Sequence, residues 1–372
     1  MNKYHQIEIS KNKKRVLNSI SHKTVDKISL MYRAVPKMSA RLLKYFLLDP
    51  DLNKSWKDLQ EVLKIDVFSS GNGLGKFTKY FPEYIGKNPA NKTDRSMFYA
   101  WGIYFLESNV NDAGIYLDNN DFAKLESIYE IKKYPAPKPE DFDFEVDTMK
   151  LDMNLKKDCF LGTGYLVNIF MISLYLRGIQ KLMIELLTNK KLAKYYIDPI
   201  GGFAYEFTKT ILGKIGKEID FFSLWDDFAM QTGLMIPYDV FKYFYFPWYK
   251  KIFSLAKQYN LITYFHICGN VNGVIPDLID MGVDILDPIQ TSAKDMDLEH
   301  LKNRYGKNIC FHGGIDVQHM LPFGKVKDIK GYVDKTLSLF NNEGGLILGP
   351  SHEITSDTPL ENILAVYRPD LL

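Results

Sequence analysis

Short apolar runs that break into polar, glycine- or proline-containing residues recur through the last third of the chain. They read ITYFHICGN at 262–270, GVDILDPIQ at 282–290, NICFHGGID at 308–316 and GGLILGPSHEI at 344–354, and helical patterns separate them. Such alternation is the mark of βα units on a parallel sheet. Polar residues able to do chemistry sit where these strands run out. In a closed βα barrel that C-terminal rim is where active sites are built.

The same rhythm extends back through the chain. Strand-like runs lie at 26–33 (DKISLMYR), 65–70 (IDVFSS), 158–164 (DCFLGTG) and 219–227 (IDFFSLWDD). Helical patterns lie near 11–22, 39–46, 166–187, 190–214, 238–259, 272–281, 295–305, 325–342 and 359–367. Eight strands, each followed by a helical segment, predict an α/β fold of the (β/α)8 TIM-barrel type as a single domain over 1–372. A barrel of about 250 residues leaves room for more. Residues 76–150 break the rhythm and are rich in Tyr, Phe, Lys, Asn, Asp and Pro. They predict a small inserted subdomain between strands 2 and 3, with a few antiparallel strands, beside the barrel mouth. The GNGLG loop at 71–75 lacks the spacing of a dinucleotide fingerprint.

Composition narrows the function classes. The net charge is +2, which gives no electrostatic case for nucleic acid or an anionic membrane. The first residues, MNKYHQIEISKNKKR, contain no apolar signal core. The long uncharged run 159–176 is broken by Gly162, Thr163 and Gly164, so no membrane span is expected. Three sparse cysteines, Cys159, Cys268 and Cys310, argue against a disulfide framework and for a reducing, cytoplasmic setting. Only seven of the 47 basic residues are arginine, which disfavours a substrate bristling with carboxylates.

His266 and Cys268 are the sharpest chemical feature. Side chains two apart in a strand point the same way, so both can face one ion at the mouth. Imidazole nitrogen and thiolate sulfur are zinc donors. His352, just past the eighth strand, is the best third donor on the same rim. Three protein ligands with an open fourth position is the catalytic arrangement of zinc. A His-x-Cys in a strand also serves as plain packing. Cys310 lies earlier in its apolar strand and reads as core.

These stretches resemble the uroporphyrinogen decarboxylase superfamily, and within it the cobamide-dependent methyltransferase branch. The likeness is most specific in FHICGNVNGVIPDLIDMGVDILDPIQ (265–290), FHGGIDVQHMLP (311–322) and GGLILGPSHEITSDTPLENILAVY (344–367), with WDDFAMQTGLMIPYDVFKYFYFPWYKKI (225–252) behind them. The resemblance implies a (β/α)8 barrel and a catalytic Zn2+ held by His266, Cys268 and His352. It also implies a corrinoid carried on a partner protein, and a small-molecule methyl donor or acceptor. The coenzyme M branch usually has cysteine where this chain has His352. One thiolate and two imidazoles leave the ion more positive, which suits polarising an ether or hydroxyl oxygen. A methoxylated donor delivering methyl to a Co(I) corrinoid is the resulting expectation, with the reverse transfer to a thiol left open.

Asp227 and Gln290, at the ends of the fourth and sixth units, are candidates for catalytic roles. Arg33, Gln231 and Asp316 are candidates for substrate binding. Each also has a simpler use in a rim network that caps helices and ties loops. Glu353 adjoins His352 as a further possible ligand. Two rivals stand beside this expectation: metal-free uroporphyrinogen decarboxylation, and a non-catalytic barrel that only binds a ligand. LMYRAVPKMSAR at 30–41 is a poor match to the decarboxylase's arginine-rich signature.

Overall fold

The computed structural model describes residues 9–69, 82–86, 97–103, 105–106, 115–116, 121–144, 157–158, 160–163 and 167–372. The predicted loop at 71–75 and much of 76–150 lie outside the described residues.

Helix α1 (Lys11–Ile20) opens the fold, with the Ser10 hydroxyl accepting the Lys13 N–H at its start. Strand β1 (Ser29–Arg33) follows, then α2 (Pro36–Tyr45), α3 (Leu52–Val62) and β2 (Val67–Ser69). After the interrupted segment come α4 (Ile169–Arg177), α5 (Ile179–Thr188) and the long α6 (Lys190–Ile215). The chain then runs as βα units: β3 (Phe221–Trp225), α7 (Tyr238–Phe244), α8 (Phe246–Gln258), β4 (Ile262–His266), α9 (Ile275–Met281), β5 (Ile285–Ile289), α10 (Leu298–Tyr305), β6 (Cys310–Ile315), α11 (Val326–Phe340), β7 (Leu346–Pro350) and α12 (Leu360–Tyr367). All seven strands are parallel neighbours, in the order β2-β1-β7-β6-β5-β4-β3. Of the expected strand at 158–164, the described residues make one parallel bridge, Gly162 to Phe221, at the far edge of this sheet.

Period-two alternation sorts the strand residues into two faces. Outward residues such as Tyr32, Leu224, Phe265, Leu286, Phe311 and Leu348 pack under the helices in one large core. Inward residues form a second, separate cluster: Met31, Val67, Phe160, Phe221, Tyr264, Ile285, Cys310 and Ile347. That cluster takes one side chain from each of eight segments, including 160–163. Val16 and Ile20 of α1 join it from below. The inner face therefore has an apolar floor, and Cys310 belongs to it. Burying a side chain of this size stabilises by about 1.5–3 kcal/mol.

Two residues further along five of these strands, the inner face turns polar: Arg33, Ser223, His266, Asp287 and His312, all buried. The next step outward brings Trp225 and Cys268, both half-buried. Floor, polar layer and rim follow from the same alternation.

Within 76–150 the described residues include two small antiparallel pairs, Glu83–Tyr84 with Phe142–Asp143 and Phe105–Leu106 with Ile115–Tyr116. Phe142 and Phe144 pack on Phe207 of α6. Among the described residues no helix is long and apolar enough to cross a membrane.

Candidate metal centre

His266 ends β4, and its Cα pairs in register with Trp225 on one side and Asp287 on the other. Cys268 lies two residues on, where the strand gives way to a turn. Its N–H donates to Asp227 Oδ1 at 2.8 Å, and the next N–H, of Gly269, donates to Gln290 Oε1 at 2.6 Å. Gly269 takes φ +97°, and a Cβ there would lie 2.8 Å from the Met230 carbonyl oxygen. Glycine is thus required to bring the turn against the 229–230 backbone.

His352 reaches this point from the loop after β7. One donor atom each from His266, Cys268 and His352 lies within 4.8 Å of the other two. Cys268 Sγ is 3.4 Å from His266 Nε2. Zn–N near 2.0 Å and Zn–S near 2.3 Å at a tetrahedral angle separate such donors by roughly 3.6 Å. The close pair is already near that spacing, and the widest separation needs to shrink by no more than roughly 1.5 Å.

The protonation states of the two donors differ. His352 opens to solvent at the rim, but the crowded mouth, with Arg33 and His266 adding, pushes its pKa down to about 4. Its imidazole is neutral at ordinary pH. Burial pushes the Cys268 thiol up, while His266 pulls it the other way. A bound cation supplies the missing counter-charge and favours the thiolate.

Behind the donors is a buried charge network. His266 Nδ1 meets Asp287 Oδ2 at 2.5 Å, and His312 Nδ1 bonds Asp287 Oδ1. Arg33 Nη1 lies 3.5 Å from the same carboxylate. Burial alone raises the Asp287 carboxyl, but Arg33 and the two imidazoles outweigh it and hold the group well below the usual range.

The other candidates divide. Asp227 and Gln290 brace the Cys268–Gly269 turn, and Asp227 Oδ2 also accepts the Trp225 indole N–H at 2.6 Å. Arg33 is buried with Asp287. Asp316 accepts the backbone N–H groups of Gln318, His319 and Met320, which caps the short turn that follows β6. Gln231 is exposed on the tight turn between two short strands, 229–230 and 233–234. Sequence reasoning missed Asp287, although a buried Asp two residues after Ile285 in ILDPI carries the right period. It also left the aromatic residues of the mouth unnamed. Trp225 sits 6.4 Å from the His266 ring and edge-on to Phe98, which is edge-on to Tyr175.

Fold and site together define a class: a parallel βα protein with a nitrogen and sulfur donor set on the C-terminal rim of its sheet. The chain belongs to the uroporphyrinogen decarboxylase (URO-D) family, whose sequence model matches residues 111–368. A curated relative, "Methylcobamide:CoM methyltransferase MtaA" of Methanosarcina barkeri, is 31% identical over 141 residues, and the match spans 38% of each chain. The protein of the same name from Methanosarcina barkeri strain Fusaro is 32% identical over 111 residues, 29% of this chain and 30% of its own. The solved structure of a methyltransferase from Methanosarcina mazei superposes with a TM-score of 0.63 over 97% of this chain and 98% of that one. At 17% identity this is a likeness of fold.

Proposed function

We propose that the chain is a zinc-dependent methyltransferase that moves a methyl group between a small methyl donor and a corrinoid carried on a partner protein. The observation that carries this is the convergence of His266, Cys268 and His352 on one rim, with donor atoms no more than 4.8 Å apart. The printed names of the curated relatives, methylcobamide:CoM methyltransferases, support the corrinoid half of the reading. The reading includes a closed eight-stranded barrel, residues 76–150 as a subdomain beside its mouth, and a cytoplasmic setting. The floor cluster drawn from eight segments supports closure.

Zinc in this donor set supplies a Lewis acid for a donor's leaving oxygen, or for an acceptor thiol in the reverse direction. The chain's own part is positioning. Asp227 and Gln290 hold the Cys268 turn by two backbone N–H groups, so the thiolate keeps its place as substrates exchange. Trp225, Phe98 and Tyr175 form an aromatic wall that sheds water beside His266. His352, neutral at working pH, offers a lone pair rather than a competing charge. We assign a methoxylated compound as the donor, because a donor set with one thiolate favours oxygen over a second sulfur.

Metal-free decarboxylation fits the site less well. Arg33 is engaged with Asp287, and Arg41 donates to the Ser356 and Thr358 carbonyls. These two cations of the 30–41 stretch are committed within the protein instead of facing a tetrapyrrole's carboxylates.

The test uses purified full-length protein. Metal analysis is expected to give stoichiometric zinc, and a reduced corrinoid protein with a methoxyarene is expected to lose its Co(I) absorbance. Absence of zinc, or zinc that persists in the His266→Ala, Cys268→Ala double variant, overturns the reading. Turnover of uroporphyrinogen would replace it with the decarboxylase.

A further inference from the structure

We propose that Asp287 is the positioning residue that makes His266 a ligand through Nε2, with His312 and Arg33 holding the carboxylate in place. This rests on the zinc reading above, and it assigns a role to a residue that the sequence reading left without one.

Asp287 sits on β5 beside His266, its Cα partner in the sheet, and is fully buried. The backbone clamps it too, since the Ile267 N–H donates to the Asp287 carbonyl at 2.6 Å. Its two oxygens are divided. Oδ2 receives His266 Nδ1 at 2.5 Å and faces Arg33 Nη1 at 3.5 Å, while Oδ1 receives His312 Nδ1. An imidazole whose Nδ1 proton is committed to a carboxylate keeps its lone pair on Nε2. Nε2 is the atom 3.4 Å from Cys268 Sγ. The carboxylate therefore selects the tautomer, aims the ring and places negative charge behind it, which raises the ring's basicity toward a cation.

A buried carboxylate carries a large desolvation cost unless it is paired and hydrogen-bonded. Arg33 and His312 meet that need. His312 is wholly buried below the rim and lies outside the donor set, so its contribution is to Asp287. Arg33 sits at the end of β1, so three strands converge on one carboxylate. A merely structural ion cluster would make the same contacts. It would not, however, change the zinc affinity or the ligand field of His266 when Asp287 is replaced.

The experiment compares full-length wild type with Asp287→Asn, and with Cys268→Ser as the control for the metal site. An Asn at 287 keeps one acceptor and turns the other oxygen into a donor, so it cannot receive both imidazole N–H groups. Zinc affinity, measured by chelator competition, is expected to fall about 10–100-fold in Asp287→Asn. The visible bands of the cobalt(II)-substituted protein are expected to shift. Nitrogen NMR of histidine-labelled wild type is expected to show His266 protonated at Nδ1, identified by its loss in His266→Gln. That arm still tests the tautomer even if Asp287→Asn does not fold. A wild type that binds no zinc overturns the zinc reading and this assignment together. A wild type that binds zinc while Asp287→Asn binds it equally well overturns the assignment alone. So does a His266 ring protonated at Nε2.

Discussion

Two adjacent aspartates show how one residue's place decides its work. Asp226 is fully buried and accepts the N–H groups of Phe170 and Met171 at 2.7 and 2.8 Å, plus the Tyr249 hydroxyl at 2.6 Å. It fastens the start of α4 to the sheet. Asp227, one residue on, faces the rim and holds the Cys268 N–H and the Trp225 indole. Alternation along the chain sends the two carboxylates to opposite sides. Asp226→Ala should therefore cost roughly 3 kcal/mol or more of folding stability, because three buried donors lose their acceptor. Asp227→Ala should cost much less stability and should instead weaken zinc retention. Urea unfolding and chelator competition on both variants measure the two effects. A reversed pattern would show that the division is misassigned. The sequence reading named only Asp227 of the two as a site candidate, and the packing gives the physical reason for their different uses.

At the scale of elements, strand positions were legible because each strand alternates apolar residues and ends in a glycine, proline or polar break. The eight expected runs match seven strands and one bridge. The His266–Cys268–His352 set was legible for the same reason: period two and a shared rim are enough to bring it together. The buried network was not. Asp287, His312 and Arg33 sit on three different strands, and their convergence depends on the lateral register of β1, β5 and β6, which no local pattern encodes. The turn after β4 is where element geometry and site meet. Gly269→Ala forces a side chain into a positive-φ position 2.8 Å from a backbone oxygen. Strain of this kind costs on the order of 1–3 kcal/mol. The turn should relieve it by moving away from Met230, carrying Cys268 with it. Lower zinc occupancy is expected, along with a modest fall in the urea midpoint. Unchanged metal content would mean that the turn does not set the sulfur's position.

For the whole molecule, the two ends of the strand assembly are built differently. The lower end is sealed by α1, whose Val16 and Ile20 enter the floor cluster. Lys13 forms a fully buried ion pair with Asp220 at 2.7 Å, and Asp220 also accepts the Leu161 N–H. Arg15 bridges Asp26 and Asp66 beside it. The upper end carries the donor set on strand ends and loops, above a complete apolar layer. Cohesion therefore lies in the floor and the helix-covered face, and the ion is an addition to a frame already formed. This contrasts with small zinc domains, where metal binding supplies the folding energy. Chelated protein should keep its far-UV circular dichroism and a cooperative melt. Even a ligand present at a thousand times its Kd adds only about 4 kcal/mol, so the melting temperature should drop by no more than roughly 10 °C. Lys13→Met should do more damage than chelation, since it leaves a buried carboxylate without its cation, at a cost of about 3–5 kcal/mol. Adding Asp220→Asn should recover part of that loss by removing the stranded charge. A chelated protein that lost its helical signal, or that melted lower than Lys13→Met, would place the ion in the structural frame instead of on top of it.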